Sequence, residues 1–166
     1  MSELGFLSPA RAAEQAAWRS PLERALAHAP AGIADVSRTG KLEVRGDVAD
    51  LEDADTYEVV KLTPTRALVL CGFDDVPAVR ASLRRRFRTV VDQTAGYAGL
   101  RVRGAAVLRR VTDLDLETLP AAGAVAHVPG LVLRDDEETF RILVPQEYGH
   151  YVAEVVVDAA EGVGAV

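Results

Sequence analysis

A short motif occurs twice in this chain, and this repeat constrains the fold more than any other feature of the sequence. One copy spans residues 35–46 and the other spans residues 92–104. Each copy begins with an aspartate, has a hydroxyl residue two positions later, continues through a glycine-containing turn and ends in Leu-x-Val-Arg-Gly. A unit of this size cannot bury its own apolar face. The repeat therefore predicts two similar halves that pack together as one pseudo-symmetric body.

The hydrophobic pattern around the two copies predicts an α+β fold. Alternating apolar residues bounded by turn residues indicate strands, and apolar residues spaced three and four apart indicate helices. Pro129-Gly130 is interpreted as an interruption within one long strand. The predicted strands are 41–45, 57–62, 66–70, 89–92, 100–103, 125–133 and 140–144, and the predicted helices are 9–17, 20–29, 76–87, 105–111 and 145–160.

Capping residues place the starts of two of these helices. Ser20 and Glu23 are spaced as a capping box, with a proline between them at the first helical position. Asp74 or Asp75 is predicted to cap the helix that follows the hairpin. The closing helix is expected to pack through one apolar face, made of Tyr148, Val152, Val155 and Val156.

The length of 166 residues suits a single domain, and 49% hydrophobic residues are enough for a core. The predicted division is an N-terminal helical extension over 1–19, one domain over 20–160 and a flexible tail of small residues over 161–166. The single cysteine, Cys71, excludes an intramolecular disulfide and a cysteine-based zinc site, and its apolar neighbours predict that it is buried.

Charge and hydropathy also limit the partners. A formal net charge of −6 argues against nucleic acid, because affinity for a phosphate backbone comes from clustered lysine and arginine. No stretch approaches the ~18 apolar residues that span a bilayer, and the first residues lack the basic start and apolar run of a signal peptide. The expectation is a cytoplasmic protein that contacts neither nucleic acid nor membrane.

The repeat residues also resemble a known family. Residues 32–46, Gly-Ile-Ala-Asp-Val-Ser-Arg-Thr-Gly-Lys-Leu-Glu-Val-Arg-Gly, are similar to the glycine-cleavage T-protein segment Gly-Leu-Phe-Asp-Val-Ser-His-Met-Gly-Lys-Ile-Glu-Val-x-Gly. The stretch 87–160 is more similar to the gamma subunit of heterotetrameric sarcosine oxidase, a shortened relative of the T-protein. The matching elements are Val90-Val91-Asp92, the strand ending at Gly104, Asp115-Leu116 and the segment 139–145 before the closing helix.

This resemblance implies a folate-binding T-protein type of domain, with two ferredoxin-like halves around a pseudo-two-fold axis. It further implies a non-catalytic gamma-type subunit of a sarcosine-oxidase-like complex that oxidises and demethylates N-methyl amines. In that complex FAD, FMN, NAD and tetrahydrofolate would be bound by larger flavin- and folate-binding subunits, and no cofactor or metal is expected on this chain.

The departures from the family pattern bear on function. The T-protein loop that contains the catalytic aspartate is missing, because the chain passes from Gly46 through an acidic loop to Tyr57. In the family a Gly-Glu-x-Gly-Phe-Glu stretch supplies two carboxylates for the pterin ring. In this chain Glu137 matches the first of these carboxylates, and Arg141 stands at the position of the second carboxylate with the opposite charge.

The alternative hypothesis is a free-standing folate-binding protein with Glu137 as pterin acceptor. An independent aminomethyltransferase is disfavoured by the missing loop.

Four further features have both a chemical and a structural interpretation. The acidic run 50–55 offers a general base or a solvated loop. His150, with glutamates at helical spacing, offers a metal ligand or an ordinary surface pair. Trp18 is either an exposed contact for a partner or a core contact. A basic group on and after the third predicted helix offers a site for a phosphate or an acidic partner, or the solvated end of that helix; its members are Arg80, Arg84, Arg85 and Arg88.

Overall fold

The computed structural model describes residues 18–164, which form two antiparallel sheets with helices on their outer faces. The predicted helix 9–17 and most of the predicted N-terminal extension lie outside the described residues. The strands are β1 Ile33–Asp35, β2 Gly40–Arg45, β3 Tyr57–Thr63, β4 Arg66–Cys71, β5 Thr89–Asp92, β6 Tyr97–Arg103, β7 Ala121–Val125, β8 Val128–Arg134 and β9 Thr139–Pro145. The helices are α1 Val76–Leu83, α2 Ala105–Val111 and α3 Gly149–Val163.

The strand orders show the predicted pseudo-symmetry directly. One sheet has the order β5-β2-β4-β3, and the other has the order β1-β6-β9-β8-β7. The strands β2 and β6 of the two repeat copies therefore occupy matching places. The first strand of each copy pairs with the second strand of the other copy: β1 pairs with β6, and β5 pairs with β2. The prediction of two similar halves in one body is confirmed.

The repeated aspartate and hydroxyl residue perform the same task in both copies. The backbone N–H of Ser37 donates to Asp35 Oδ1 at 2.8 Å, and the backbone N–H of Thr94 donates to Asp92 Oδ1 at 2.9 Å. Such an aspartate holds its own backbone two residues further on, which fixes a turn directly after the first strand of each copy.

The two hydroxyl groups then connect the copies to each other. Ser37 Oγ accepts from the backbone N–H of Gly99 at 3.0 Å, and Thr94 Oγ1 accepts from the backbone N–H of Lys41 at 3.1 Å. Gly99 and Lys41 are equivalent positions at the starts of the two repeat strands. The spacing of the repeated motif is thus explained by a reciprocal exchange of hydrogen bonds between buried groups.

Each sheet packs against helices on one face and against the other sheet on the opposite face. The helices α2 and α3 cover the β6-containing sheet, while α1 covers the β2-containing sheet. The two sheets meet through a smaller apolar cluster of Val60, Leu68, Leu70, Leu131, Leu133 and Leu143. No helix within residues 18–164 is long and apolar enough to cross a bilayer.

One sequence prediction is wrong in the second half. The stretch 125–133 is not a single interrupted strand; β7 and β8 form a hairpin whose turn consists of Ala126 and His127, with φ angles of 48° and 67°. Pro129 lies within β8, opposite Ala124 of β7. Pairing of β8 with β9 begins only at Leu131, so the missing N–H of Pro129 removes no hydrogen bond between those two strands.

Helix boundaries differ in smaller ways. Residues 21–28 form consecutive turns rather than a regular helix, although Ser20 Oγ does accept from the backbone N–H of Leu22 at 3.0 Å. The closing helix continues to Val163, so the first residues of the predicted flexible tail are helical. Tyr148 lies in the turn before α3 and is 42% exposed, outside the apolar face predicted for it.

The start of one more helix, α1, differs in detail from its prediction. Asp75, one of the two predicted residues, occupies the N-cap position of α1, but its side chain makes no capping hydrogen bond within residues 18–164. Pro77 nevertheless occupies the first turn of α1, as its position in the sequence indicates.

The start of α3 approaches β6 closely, and this contact yields a stability prediction. A Cβ added at Gly149 would lie 2.5 Å from Ala98 Cβ. We expect Gly149→Ala to lower the free energy of unfolding by about 2 kcal/mol through overpacking. Ala98→Gly in the same chain should restore much of the loss. Urea denaturation measures both, and Gly162→Ala on the same helix serves as the control, since only the flexible end of Arg110 is close to it. A Gly149→Ala variant as stable as the parent would contradict the packing described here.

Candidate functional site

An ion cluster joins the two sheets at Arg141, the position where the family pattern would place a carboxylate that binds the pterin ring. Arg141 of β9 donates to Asp135 through Nε and to both carboxylate oxygens of Glu58 of β3 through Nη2, at 3.0 and 2.8 Å. Arg101 Nε lies 3.3 Å from the other oxygen of Asp135. Two cations and two anions therefore neutralise one another across the sheet interface.

Arg141 is largely withdrawn from solvent, with a side chain that is 13% exposed. Burial by itself lowers the pKa of its guanidinium, but the contacts with Glu58 and Asp135 outweigh burial and raise that pKa above its ordinary value. Arg141 is consequently a fixed cation, and its donors are directed at groups of its own chain. The charge reversal seen in the sequence is balanced by Glu58, which lies 83 residues away.

Glu137, the other predicted pterin contact, lies in the exposed turn between β8 and β9. Its carboxylate makes no hydrogen bond within residues 18–164, and its carbonyl oxygen accepts from Arg134 at 3.2 Å. The neighbouring Asp136 organises the turn by accepting from the backbone N–H groups of Glu138 and Thr139, which lowers the pKa of its carboxyl. A pterin role for Glu137 stays a prediction.

The predicted basic group is spread along one edge of the molecule. Arg84, Arg85 and Arg88 are exposed and follow the end of α1, whereas Arg80 is half-buried on the helix itself. The Nε of Arg80 is buried and has no hydrogen-bond partner within residues 18–164. These four arginines do not surround a common cavity among those described below, and their role toward a phosphate or an acidic partner stays a prediction.

The acidic loop and the histidine pair have visible structural roles. Asp53 accepts from the backbone N–H of Val59 at 2.6 Å, and Glu52 lies 2.8 Å from Lys61 Nζ, so this loop is held against β3. His150 and Glu154 are 3.2 Å apart on the half-exposed surface of α3. Within residues 18–164, no three His, Cys, Asp or Glu side chains are grouped as a metal site.

Two buried charges on β2 were not predicted from the sequence. Glu43 is 4% exposed and lies 2.6 Å from Arg45 Nε and 3.3 Å from Arg66 Nη2. Burial raises the pKa of Glu43, but the two arginines outweigh it and hold that pKa below its usual value. Alternation along the strand puts the side chain of Glu43 on the other face of the strand from those of Leu42 and Val44. That is the pattern of a solvent-facing residue, so the sequence did not indicate that Glu43 is buried.

Lys41 is the second buried charge and is fully inaccessible to solvent. Its Nζ donates to the carbonyl oxygens of Ser37 and Thr39, each at 2.8 Å. Burial lowers the pKa of Lys41 to about 8, and the negative charges of Asp35 and Asp92 only partly oppose that effect. The side chain ties together the turn that the repeat motif defines.

One cavity lies where the two repeat turns meet, and it is called the axis cavity here. Its volume is about 510 Å³, and it is lined by Trp18, Arg19, Pro21, Arg38, Phe73, Ala95, Tyr97 and Gln146. Trp18 is 36% exposed and contacts Phe73 edge to face, with ring centroids 5.3 Å apart. A second, mostly apolar cleft of about 310 Å³ opens between the sheets beside Tyr97.

Solved structures with the same fold support the fold prediction. One chain of the heterotetrameric sarcosine oxidase from Corynebacterium sp. U-96 is similar with a TM-score of 0.74 and 22% identity, over 90% of this chain and 97% of that chain. The glycine cleavage aminomethyltransferase T from Bartonella henselae is similar with a TM-score of 0.57 and 19% identity, over 84% of this chain. This chain spans about half, 51%, of that protein.

The α+β, T-protein-like fold is therefore confirmed, while the ferredoxin-like character of each half stays a prediction. The sequence matches no protein-family profile and has no significantly similar counterpart among curated proteins.

Proposed function

We propose that this chain is a non-catalytic, gamma-type subunit of a sarcosine-oxidase-like complex that oxidises and demethylates N-methyl amines. The observation that supports this most is the end-to-end likeness to one chain of a heterotetrameric sarcosine oxidase, 97% of which is covered. A likeness over a whole subunit fits a protein that occupies a subunit position, whereas the T-protein is matched over about half its length.

The chemistry of the described side chains supports a non-catalytic role. Oxidation of an N-methyl group needs an electron acceptor such as a flavin, and transfer of the one-carbon unit needs a positioned base or folate. In this chain Glu58, Asp135 and Arg141 neutralise one another, and Glu52 and Asp53 hold their own loop in place. These five side chains are thus engaged in structural contacts rather than free to act on a substrate.

In the proposed complex the larger subunits bind FAD, FMN, NAD and tetrahydrofolate. This chain contributes a preformed surface and stabilises the assembly. Its two sheets are connected by the Arg141 cluster and by the reciprocal hydrogen bonds of the repeat, so the surface is rigid before partners bind. A rigid partner loses less conformational entropy on association than a flexible one.

The direct test is purification of the tagged chain from its own host at low salt. We expect larger polypeptides to co-purify with bound flavin, and we expect N-methylglycine to bleach the flavin absorbance of the eluate under anaerobic conditions. An unrelated tagged protein of similar size and charge is the control for non-specific capture. A colourless chain that elutes alone and well folded would rule the proposal out.

The alternative, a free-standing folate-binding protein, is favoured by the likeness to the aminomethyltransferase T fold and by the retained Glu137. It predicts a melting temperature that rises with tetrahydrofolate, equivalent to about 2.7 kcal/mol at a concentration 100 times Kd. Glu137→Gln should then abolish the rise. The subunit proposal instead predicts the same melting temperature with and without folate, for both proteins. Differential scanning calorimetry separates the two hypotheses.

A further inference from the structure

The axis cavity is built from equivalent positions of the two halves of the protein. Arg38 follows the hydroxyl residue of the first copy, and Ala95 follows that of the second. Phe73 begins the single 3-10 turn after β4, and Gln146 begins the matching turn after β9. All four line the same cavity. The side chains at this pseudo-symmetric junction differ between the halves. The first half supplies a cation and an aromatic ring, while the second half supplies a methyl group and an amide.

The aromatic wall and the cation are already arranged together. The guanidinium carbon of Arg38 lies 4.8 Å from the centroid of the Phe73 ring, and Trp18 contacts the same ring edge to face. Such a cation–π contact limits the positions that a long arginine side chain samples. Arg38 is exposed, and this contact holds its donors beside an apolar surface.

Among the residues that the structure describes, the cations at this cavity have no anionic partner. Neither Arg38 nor Arg19 forms an ion pair with any residue from 18 to 164, although the chain has a net charge of −6. Arg45, Arg66 and Arg141, by contrast, are all paired with carboxylates. The guanidinium of Arg38 beside the Phe73 ring, with Arg19 also lining the cavity, matches a ligand with one carboxylate and one flat apolar part.

From these features we infer that the axis cavity binds a small monocarboxylate that carries an aromatic or similarly flat apolar group. The flat group contacts Trp18, Phe73 and Tyr97, and the carboxylate accepts hydrogen bonds from Arg38. A volume of about 510 Å³ lies in the usual range for small-molecule sites, which are mostly apolar with a few polar groups that fix orientation. This inference concerns the chain alone and does not depend on the proposed subunit role.

The chain contains a single tryptophan, which makes the test specific to this cavity. Trp18 fluorescence of the full-length chain is titrated with phenylacetate, with phenylacetamide and with acetate. We expect a saturable change with phenylacetate and an affinity about tenfold lower for the neutral amide, because the amide forfeits the charge-assisted hydrogen bonds. Acetate alone should bind more weakly still. Saturation-transfer NMR of the same probes reports binding independently of Trp18.

Matched arginine variants decide which cation is responsible. Arg38→Met should lower the phenylacetate affinity about tenfold and leave the phenylacetamide affinity unchanged. Arg85→Met, an exposed arginine far from this cavity in sequence, should change neither. No phenylacetate binding in either measurement would overturn the inference, as would equal affinities for the acid and the amide. Equal losses in Arg38→Met and Arg85→Met would show non-specific attraction and overturn it as well.

Discussion

Replacing Arg141 with methionine is expected to lower the free energy of unfolding by about 2 to 3 kcal/mol. Within residues 18–164, the change removes the one cation that contacts both Glu58 and Asp135, whose side chains are 41% and 20% exposed. Two carboxylates at a sheet interface are then left without their shared partner, and breaking a buried pair from one side leaves an uncompensated charge. The partial exposure of Glu58 places the expected loss below that of a fully buried pair. Urea denaturation at neutral pH measures it.

A double-mutant cycle separates the ion pair from the packing of the arginine stem. Glu58→Gln alone should cost about 1 kcal/mol, because Arg141 retains Asp135. With Arg141→Met and Glu58→Gln combined, the loss should be smaller than the sum of the single losses by about 1 kcal/mol or more. Arg85→Met is the control and should stay within about 0.5 kcal/mol of the parent. Strictly additive losses would mean that Arg141 and Glu58 do not stabilise each other.

The same cluster explains why one substitution cannot recreate the family's pair of pterin carboxylates. Arg141→Glu would restore a carboxylate at the family position, but it would face Glu58 and Asp135 and produce three neighbouring negative charges. We infer that the charge at position 141 and the charge at position 58 depend on each other. The departure from the family pattern is therefore a property of the sheet interface as well as of one residue.

The sequence predicted the two-halved fold because the repeat specifies local chemistry. An aspartate that binds its own backbone and a hydroxyl residue two positions later define the same turn wherever they occur, as Asp35 and Asp92 show. The hydrogen-bond partners of the two hydroxyl groups could not be predicted from the sequence. Ser37 and Thr94 each bind the strand of the other copy, across more than 50 residues, and such pairing depends on tertiary arrangement.

The hairpin of β7 and β8 shows a different reason for failure. Two-residue turns with positive φ normally use glycine, asparagine or aspartate, whereas this one uses Ala126 and His127. The usual turn signal of the sequence, Pro129-Gly130, lies three residues after the real turn. Within the structure the backbone N–H of Ala126 donates to the carbonyl of Val111 at 2.6 Å, which helps to hold a conformation that alanine rarely adopts.

Candidate site residues were harder to predict than strands because their partners are distant in sequence. The reversed charge at Arg141 was visible, but its neutralisation by Glu58 was not. The sequence left a partner contact and a core contact both open for Trp18, and in the structure it contacts Phe73 edge to face and is 36% exposed. The burial of Lys41 ran against the strong tendency of lysine to be exposed, so no sequence rule would have found it.

Lys41 gives the second large effect, a stability that depends on pH. Its pKa falls from 10.5 in the unfolded chain to about 8 in the folded protein, mainly because of burial. Between these two values the unfolded chain binds more protons than the folded protein. The cost of folding with a charged Lys41 is fully present below pH 8 and disappears as the pH rises to 10.5, so the free energy of unfolding increases across that window. The total increase is about 3 kcal/mol for a difference of roughly 2.5 pH units.

The measurement compares the parent with Lys41→Met by urea denaturation at several pH values from 7 to above 10. Every other titratable group is present in both proteins, so its contribution cancels in the difference. The carbonyl oxygens of Ser37 and Thr39 lose a donor in the variant, but that cost does not change with pH. We therefore expect the parent to gain about 3 kcal/mol on the variant as the pH rises. A difference that stays constant with pH would show that Asp35 and Asp92 fully offset burial and that Lys41 keeps its ordinary pKa.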